Sequence, residues 1–159
     1  MNIEQLADTL ILRMHRLQPV IDGAADLVSR DDSLWHGLLG VLISTGNAKQ
    51  WEDFNVHPQR QEIFDFAQFS KVSDDKQRVV LLEKVINHMH GDKQHGYINR
   101  AFLRIRDELG GVVAAGQKLH HLHGRDEKLA HLKSFDGIAE DNAKRFWMDR
   151  LDEDFLNDN

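Results

Sequence analysis

Apolar residues recur every three or four positions along almost the whole chain, which is the period of an amphipathic α-helix. The first segment is typical, with Ile3, Leu6, Leu10, Met14 and Leu17 in succession. No segment alternates between apolar and polar residues in the way that a half-buried β-strand does. The pattern therefore predicts an all-α protein of about eight helices.

Prolines and small polar residues indicate where individual helices begin and end. Pro19 interrupts the first apolar pattern, which predicts either one kinked helix or two short ones. Pro58 suits the first turn of a helix that continues towards Phe69. Ser73 is the expected N-cap of a helix that runs to about His90.

The segment from Leu34 to Thr45 is nearly uncharged, which predicts a helix in the middle of the hydrophobic core. Asp32 or Ser33 can cap its N-terminus. Six apolar residues at helical spacing are expected to be buried: Leu38, Leu42, Leu81, Ile105, Leu132 and Phe146.

The composition is that of an ordinary globular domain. The chain has 159 residues, 41% apolar and 29% charged, with a net charge of −6. Residues 1–159 are therefore expected to form one domain with its own core. The absence of cysteine excludes disulfides, thiolate catalysis and cysteine zinc sites. Acidic residues within the first eight positions fit neither a signal peptide nor a membrane span, so we expect a cytoplasmic protein with no membrane partner.

Histidines are the first candidates for chemistry, because neutral imidazoles bind metal ions. The chain has ten, gathered mainly in HMHGDKQH (residues 88–95) and HHLHGRDEKLAH (residues 120–131). Helical residues two positions apart point about 200° apart, so His88 and His90 make a poor chelating pair. No HExxH pattern is present, and no metal site is expected.

Motifs for other cofactors and for nucleophilic catalysis are missing as well. Ser44 and Thr45 stand at a helix end without a nearby base. The stretch GGVVAAG lacks the lysine and hydroxyl residue of a phosphate-binding loop, so no cofactor is expected. The acidic segment 149–159, DRLDEDFLNDN, is expected to be solvated.

The stretch LKSFDGIAEDNAKRFW, residues 132–147, predicts two short helices joined by a glycine turn. A helix-hairpin-helix of this kind offers the backbone N–H groups at the start of its second helix to a DNA phosphate, assisted by the helix dipole. Its apolar residues, such as Leu132, Phe135 and Ala143, hold the crossing of the two helices. A plain helical corner, in which Gly137 only supplies a permissive backbone, explains the same pattern.

The surrounding segment, residues 96–147, resembles the centre of the helix-hairpin-helix DNA glycosylase superfamily, with the specific motif at residues 127–148. The helix after Leu34 is similar to that family's early core helix, which ends in a polar turn near the DNA. The resemblance spans about residues 30–159. It implies that DNA is bound by Gly137, Ile138, Ala139, Lys144 and Arg145.

The chain also departs from the family pattern. The family turn usually reads glycine, hydrophobic residue, glycine, whereas this one reads Gly137-Ile138-Ala139. Members that form a covalent intermediate carry a lysine shortly afterwards, where this chain has Asp141. The catalytic aspartate of the family follows about twenty residues after the first glycine, at the base pocket, which leaves Asp158 as the candidate. The resemblance thus implies a shortened or degenerate member without full catalytic machinery, and enzymatic activity stays open.

Charge around the hairpin leaves two interpretations. Basic residues that favour DNA binding are Lys128, Lys133, Lys144 and Arg145, while Glu140, Asp141, Asp149 and the acidic C-terminal segment oppose it. The first interpretation is a DNA-binding domain that contacts backbone phosphates. The alternative is an acidic all-α protein-interaction module, of the immunity, inhibitor or adaptor type, with a protein partner and no nucleic-acid role.

Overall fold

A computed structural model of the chain describes residues 2–45, 49, 51–52, 56, 58–86 and 93–156. These residues form nine α-helices and one 3-10 turn and contain no β-strand, so the all-α prediction is confirmed. The elements are α1 (Ile3–Ser29), α2 (Ser33–Ser44), α3 (Pro58–Ile63), α4 (Phe66–Ser70), α5 (Asp75–Val85), α6 (Lys93–Asp107), α7 (Val112–His120), α8 (Arg125–Lys133), α9 (Glu140–Met148) and the 3-10 turn (Glu153–Phe155). In this part of the chain, no helix combines the length and apolar character that crossing a membrane requires.

Helix α2 lies at the centre of the core, as its sequence predicts. Ten of its twelve residues are buried, and it packs against α6, α7, α9 and the C-terminal part of α1. Trp35 lies among the rings of Phe66, Phe69 and Phe102. Its indole N–H donates to the carbonyl of Phe64 at 2.8 Å, so this buried polar group is satisfied.

Helix α1 is a single helix of 27 residues with Pro19 inside it. Its first turn is closed by a capping box, in which the Asn2 side chain accepts from the Gln5 amide at 2.8 Å and Gln5 returns a bond to the Asn2 amide. Only Ala24 is buried along its length. The helix therefore contacts the rest of the protein through its C-terminal part.

Two predicted helix boundaries in the middle of the chain are wrong. The helix expected from Pro58 towards Phe69 is divided at Phe64, whose side chain turns into the core. The N-cap of α5 is Asp74 rather than Ser73, because the Asp74 carboxylate accepts from the Gln77 amide at 3.0 Å. Helix α5 ends at Val85, and His90 lies outside the described residues.

Five of the six residues expected in the core are buried, and Leu81 is only partly buried. The inward stripe of α5 instead contains Arg78 and Leu82, four residues apart, and Ile86 continues it just after the helix ends. Arg78 donates to Asn99 at 2.8 Å and its guanidinium lies 5.0 Å from the centre of the Phe102 ring. Because Arg78 is buried with these partners, the inward face of α5 cannot be identified from its apolar residues alone.

The C-terminal segment is packed and not solvated as expected, at least as far as residue 156. The Nζ atom of Lys128 lies 2.9 Å from an Asp152 carboxylate oxygen and 2.6 Å from one of Asp154. Burial alone would lower the pKa of Lys128, but hydrogen bonds to Asp154 and Asp152 outweigh it and the pKa is raised. Phe155 is buried and its ring stacks on that of Trp147, with the ring centres 6.1 Å apart.

Arg150 joins this segment to the start of α2. Its guanidinium is buried against the Phe146 ring, 3.7 Å from the ring centre, and donates to the Ser33 carbonyl at 2.6 Å. Burial lowers the pKa of Arg150 to about 10. A side chain at Gly37 would overlap both Phe146 and Arg150, so glycine is required where α2 meets them.

We expect Lys128→Ala to lower the free energy of unfolding by about 3 kcal/mol or more, because it leaves two partly buried carboxylates without their cation. Lys133→Ala, on the same helix, is the matched control. Its ammonium is exposed and lies 3.9 Å from Glu140, so the loss should stay below about 0.5 kcal/mol. Urea unfolding followed by tryptophan fluorescence measures both, and equal losses would contradict a stabilising role for the ion cluster.

Candidate nucleic-acid interface

The hairpin is formed by α8, a turn at residues 134–139, and α9. The apolar residues expected to hold the crossing are buried: Leu132, Phe135, Ile138 and Ala143. Phe146 on α9 is buried with them. Helix α8 ends in hydrogen bonds from the amides of Ser134 and Phe135 to carbonyls one turn earlier. The two helices are therefore fixed relative to each other by apolar packing.

Gly137 is required in the turn for two reasons. Its φ is +82°, in the left-handed region that residues with a side chain rarely adopt. A Cβ atom there would also overlap the ring of Tyr97 on α6. Gly137 is thus a structural necessity, whether or not the turn binds a ligand.

Helix α6 holds the turn by polar contacts as well. Arg100 forms an ion pair with Asp136 at 2.8 Å. Arg104 donates to the Ser134 hydroxyl at 2.8 Å, and its guanidinium lies 4.2 Å from the centre of the Phe135 ring. Sequence reasoning missed these residues, although Tyr97, Arg100 and Arg104 share one helical face by their spacing of three and four.

The first turn of α9 has no side-chain cap. Ala139 is the N-cap residue, with extended backbone (ψ 174°), and no side chain accepts a hydrogen bond from the amides that follow it. Ala139, Glu140 and Asp141 are exposed. The leading N–H groups of a helix have no partner within it, so those of α9 are open to an external acceptor.

The residues that the resemblance assigns to DNA binding occupy different places. Gly137 and Ala139 are exposed on the turn, whereas Ile138 is buried and its amide donates to the Phe135 carbonyl at 3.3 Å. Lys144 lies 4.0 Å from Glu140, one turn into α9. Arg145 is partly buried and lies near Asp149, whose pKa is raised by burial and lowered less strongly by that arginine.

Lys128 does not belong to this group, which corrects its assignment to the basic cluster around the hairpin. Its ammonium is buried against Asp152 and Asp154 at the other end of α8.

The cations beside the turn are Arg100, Arg104, Lys133, Lys144 and Arg145. The last three of these were predicted from the sequence. Opposing them, Asp136, Glu140 and Asp141 are exposed acids of the turn and of the first turn of α9.

The C-terminal end of α2 and the N-terminal ends of α6 and α9 lie close together. The side-chain Nδ2 atom of Asn142 lies 3.4 Å from the hydroxyl of Thr45 at the end of α2. Gln94, at the start of α6, donates to the Thr45 carbonyl at 3.4 Å. The side-chain oxygen of Gln94 is buried and has no hydrogen-bond partner in the described structure. Polar groups of α2, α6 and α9 thus gather at one edge of the hairpin.

No other candidate for catalysis comes together in the part of the chain that is described. The hydroxyls of Ser44 and Thr45 donate to carbonyls of their own helix, at 2.6 Å each. Asp158, His88 and His90 lie outside the described residues. Within those residues, no three histidine, aspartate or glutamate side chains are grouped as metal ligands.

Among the described residues, His95 and His131 are buried and His36 is partly buried. His131 packs edge-on against Phe135 at 5.9 Å, and His36 against Trp51 at 5.3 Å. Burial lowers the pKa of both imidazoles to about 4. Both rings are therefore neutral at physiological pH.

Comparison with models of known protein families, with curated proteins and with solved structures finds no significant match to this chain. Its interpretation therefore depends on its own geometry.

Gly137→Ala should lower the free energy of unfolding more than Gly124→Ala. The two glycines have nearly the same φ, +82° and +80°, but space around Gly124 is open. A side chain at positive φ costs roughly 1–3 kcal/mol at either position, and only Gly137→Ala adds the overlap with the Tyr97 ring. Chemical denaturation gives both values, and equal losses would contradict a close contact between the turn and α6.

The free energy of unfolding should fall as the pH drops from 6.5 towards 5. The folded pKa of His36 and His131, about 4, lies below the ordinary 6.5, so in this range the unfolded chain binds more protons and stability rises with pH. Each histidine contributes at most about 1.4 kcal/mol per pH unit. Urea unfolding at several pH values should show a shallower slope for His131→Leu. The same slope for His131→Leu, wild type and the exposed control His123→Leu would contradict the assignment.

Proposed function

We propose that the chain is a DNA-binding domain of the helix-hairpin-helix kind, which binds a backbone phosphate at the first turn of α9. The observation that carries the proposal is the uncapped start of α9, presented by a turn that packs closely on Tyr97 at Gly137. Amides at a helix N-terminus, together with the helix dipole, form a natural site for a phosphate. A closely packed turn supplies them without a further loss of conformational entropy on binding.

The cations beside the turn support the same function. Lys133 and Lys144 both point to Glu140, at 3.9 and 4.0 Å, which are long separations for ion pairs. A phosphate at the first turn of α9 can compete with Glu140 for these lysines. Exposed pairs of this kind contribute little to stability, so exchanging a partner costs the protein little.

Some residues around the turn would hold it against the protein core, and others would face the phosphate. Ile138 anchors the turn to the core, because its side chain is buried and its amide donates to the Phe135 carbonyl. Ala139 leaves the amides uncovered, and Lys144 and Arg145 add positive charge along α9. Such contacts position a nucleic acid and carry no base sequence by themselves.

The proposal does not include base excision. The position where lysine-dependent family members carry their nucleophile is Asp141, an exposed acid in the first turn of α9. Asp158 lies outside the described residues. Binding is therefore proposed on its own, as expected for a degenerate relative of the glycosylases.

Removal of a carboxylate from the first turn of α9 should strengthen binding to duplex DNA. Glu140→Gln takes away a charge that would face the phosphate and releases both lysines, and we expect affinity to rise roughly two- to fivefold. Lys144→Gln should weaken binding and reduce the salt slope by about one unit. Fluorescence anisotropy from about 50 mM salt upwards measures both effects.

Matched controls change the same charges elsewhere. Asp126→Asn removes an exposed acid from the first turn of α8, and Lys76→Gln removes an exposed lysine from α5. Neither should alter affinity beyond a general charge effect. If wild type binds no DNA at about 50 mM salt, where phosphate contacts are strongest, or if Glu140→Gln and Asp126→Asn act alike, the hairpin is a structural corner.

The second candidate function, an acidic protein-interaction module, is favoured by a different observation. Most of the apolar residues of α1 are exposed, and such a surface is typical of an interaction site. This function requires no contact between the hairpin and nucleic acid.

A further inference from the structure

The N-terminal helix exposes an unusually large apolar surface. Nine large aliphatic residues of α1 between positions 3 and 21 are between 48% and 86% exposed. They are Ile3, Leu6, Leu10, Ile11, Leu12, Met14, Leu17, Val20 and Ile21. Elsewhere in the described residues, exposed aliphatic side chains occur singly or in small numbers. Single exposed residues need no explanation, but a continuous apolar surface of this size does.

The exposed residues continue the stripe by which α1 packs on the body of the protein. Positions spaced alternately by three and four run through Ile3, Leu6, Leu10, Arg13, Leu17, Val20 and Ala24. Ala24, at the C-terminal end of this seam, is buried. The remaining seam is uncovered, and its single polar member is Arg13. A seam of this period is the pattern by which two helices pair in a coiled coil.

We propose that α1 pairs with α1 of a second copy of this chain, in antiparallel orientation. The uncovered seam runs from Ile3 to Val20, and antiparallel pairing about its midpoint makes it self-complementary. Leu6 then packs against Leu17 of the second copy, and Ile3 against its Val20. A two-fold axis between the helices closes the assembly as a dimer.

Area favours a second copy as the occupant. Seven of the nine exposed side chains lie on the side of α1 that contains the seam, whereas Ile11 and Leu12 lie outside it. The seven, each about half exposed or more, offer an apolar surface approaching the roughly 800 Å² that each partner of a stable complex buries. An isolated helix is marginally stable in water unless its apolar face is packed. Pairing would supply that packing along the whole free part of α1.

Charge argues against a membrane surface and in favour of the antiparallel pair. Helix α1 carries four acidic residues and two arginines, whereas helices that lie on membranes are rich in lysine and arginine. In a parallel pair, Arg13 would face Arg13 of the other copy within the seam. In the antiparallel pair each Arg13 packs along Leu10 of the other copy, and Asp8 comes nearly level with Arg16.

A groove on the body continues this surface at the far end of the seam. It has a volume of about 590 Å³ and lies between the C-terminal half of α1 and α7. Its apolar lining includes Ile21, Ala24, Val28, Val113 and Leu151. The second copy's helix begins at Ile3, which the proposed register places opposite Val20, next to the mouth of this groove.

Sedimentation equilibrium of the full chain should show a dimer at micromolar concentration. Leu6→Asp combined with Leu17→Asp should raise the dissociation constant at least about 100-fold, because two central apolar contacts are replaced by charges. Both residues are exposed, so the body should stay folded. Tryptophan fluorescence checks this, since all three tryptophans lie outside α1. Val80→Asp, on the exposed side of α5, is the matched control and should leave the dimer intact.

Cysteine cross-linking determines the orientation, because the chain has no cysteine of its own. The double variant Leu6→Cys with Leu17→Cys should form a covalent dimer under mild oxidation, whereas neither single variant should. Cross-linking of each single variant would indicate a parallel pair and overturn the proposal. A monomer at all concentrations, a dimer insensitive to the aspartate variants, or a monomer that binds neutral or anionic lipid vesicles would overturn it as well.

Discussion

Burial of α2 is the constraint on which the rest of the structure depends. An almost uncharged helix can be shielded from water only if other helices cover it on every side, and α1, α6, α7 and α9 do so. Their positions around α2 follow from that requirement. The C-terminal end of α2 thereby comes to lie beside the first turn of α9, and Thr45 meets Asn142 across 97 positions of sequence. The candidate interface is thus a by-product of how the core is closed.

Sequence alone reaches the fold class and the central helix because apolar periodicity records burial directly. It fails where a polar side chain performs a core function. Arg78 occupies the inward stripe of α5, and Arg150 is buried against α2, yet arginine is ordinarily read as exposed. Lys128 shows the same failure at the candidate site. Its charge suggested a phosphate contact, but its partners, Asp152 and Asp154, lie more than twenty residues away and become visible only in three dimensions.

The two short helices and the glycine turn between them could be predicted from sequence because their signals are local: a glycine between two apolar patterns, and a small residue before the second helix. The support of this turn by α6 was not found, because the contacts of Tyr97 and Arg100 with the turn depend on tertiary packing. Electrostatic balance around the turn is close, with acids and cations interleaved. A surface of this kind suits weak, salt-sensitive binding of the sort that the proposed function requires.

The ion cluster of Lys128 has a consequence for the order in which the protein can fold as it leaves the ribosome. Lys128 belongs to the first turns of α8, whereas its two carboxylate partners are synthesised after α9. Until they emerge, α8 would have to bury an ammonium group without a counterion, which is strongly unfavourable. The hairpin of α8 and α9 is therefore expected to pack against α2 late in synthesis. Helix α1, in contrast, is exposed from the beginning.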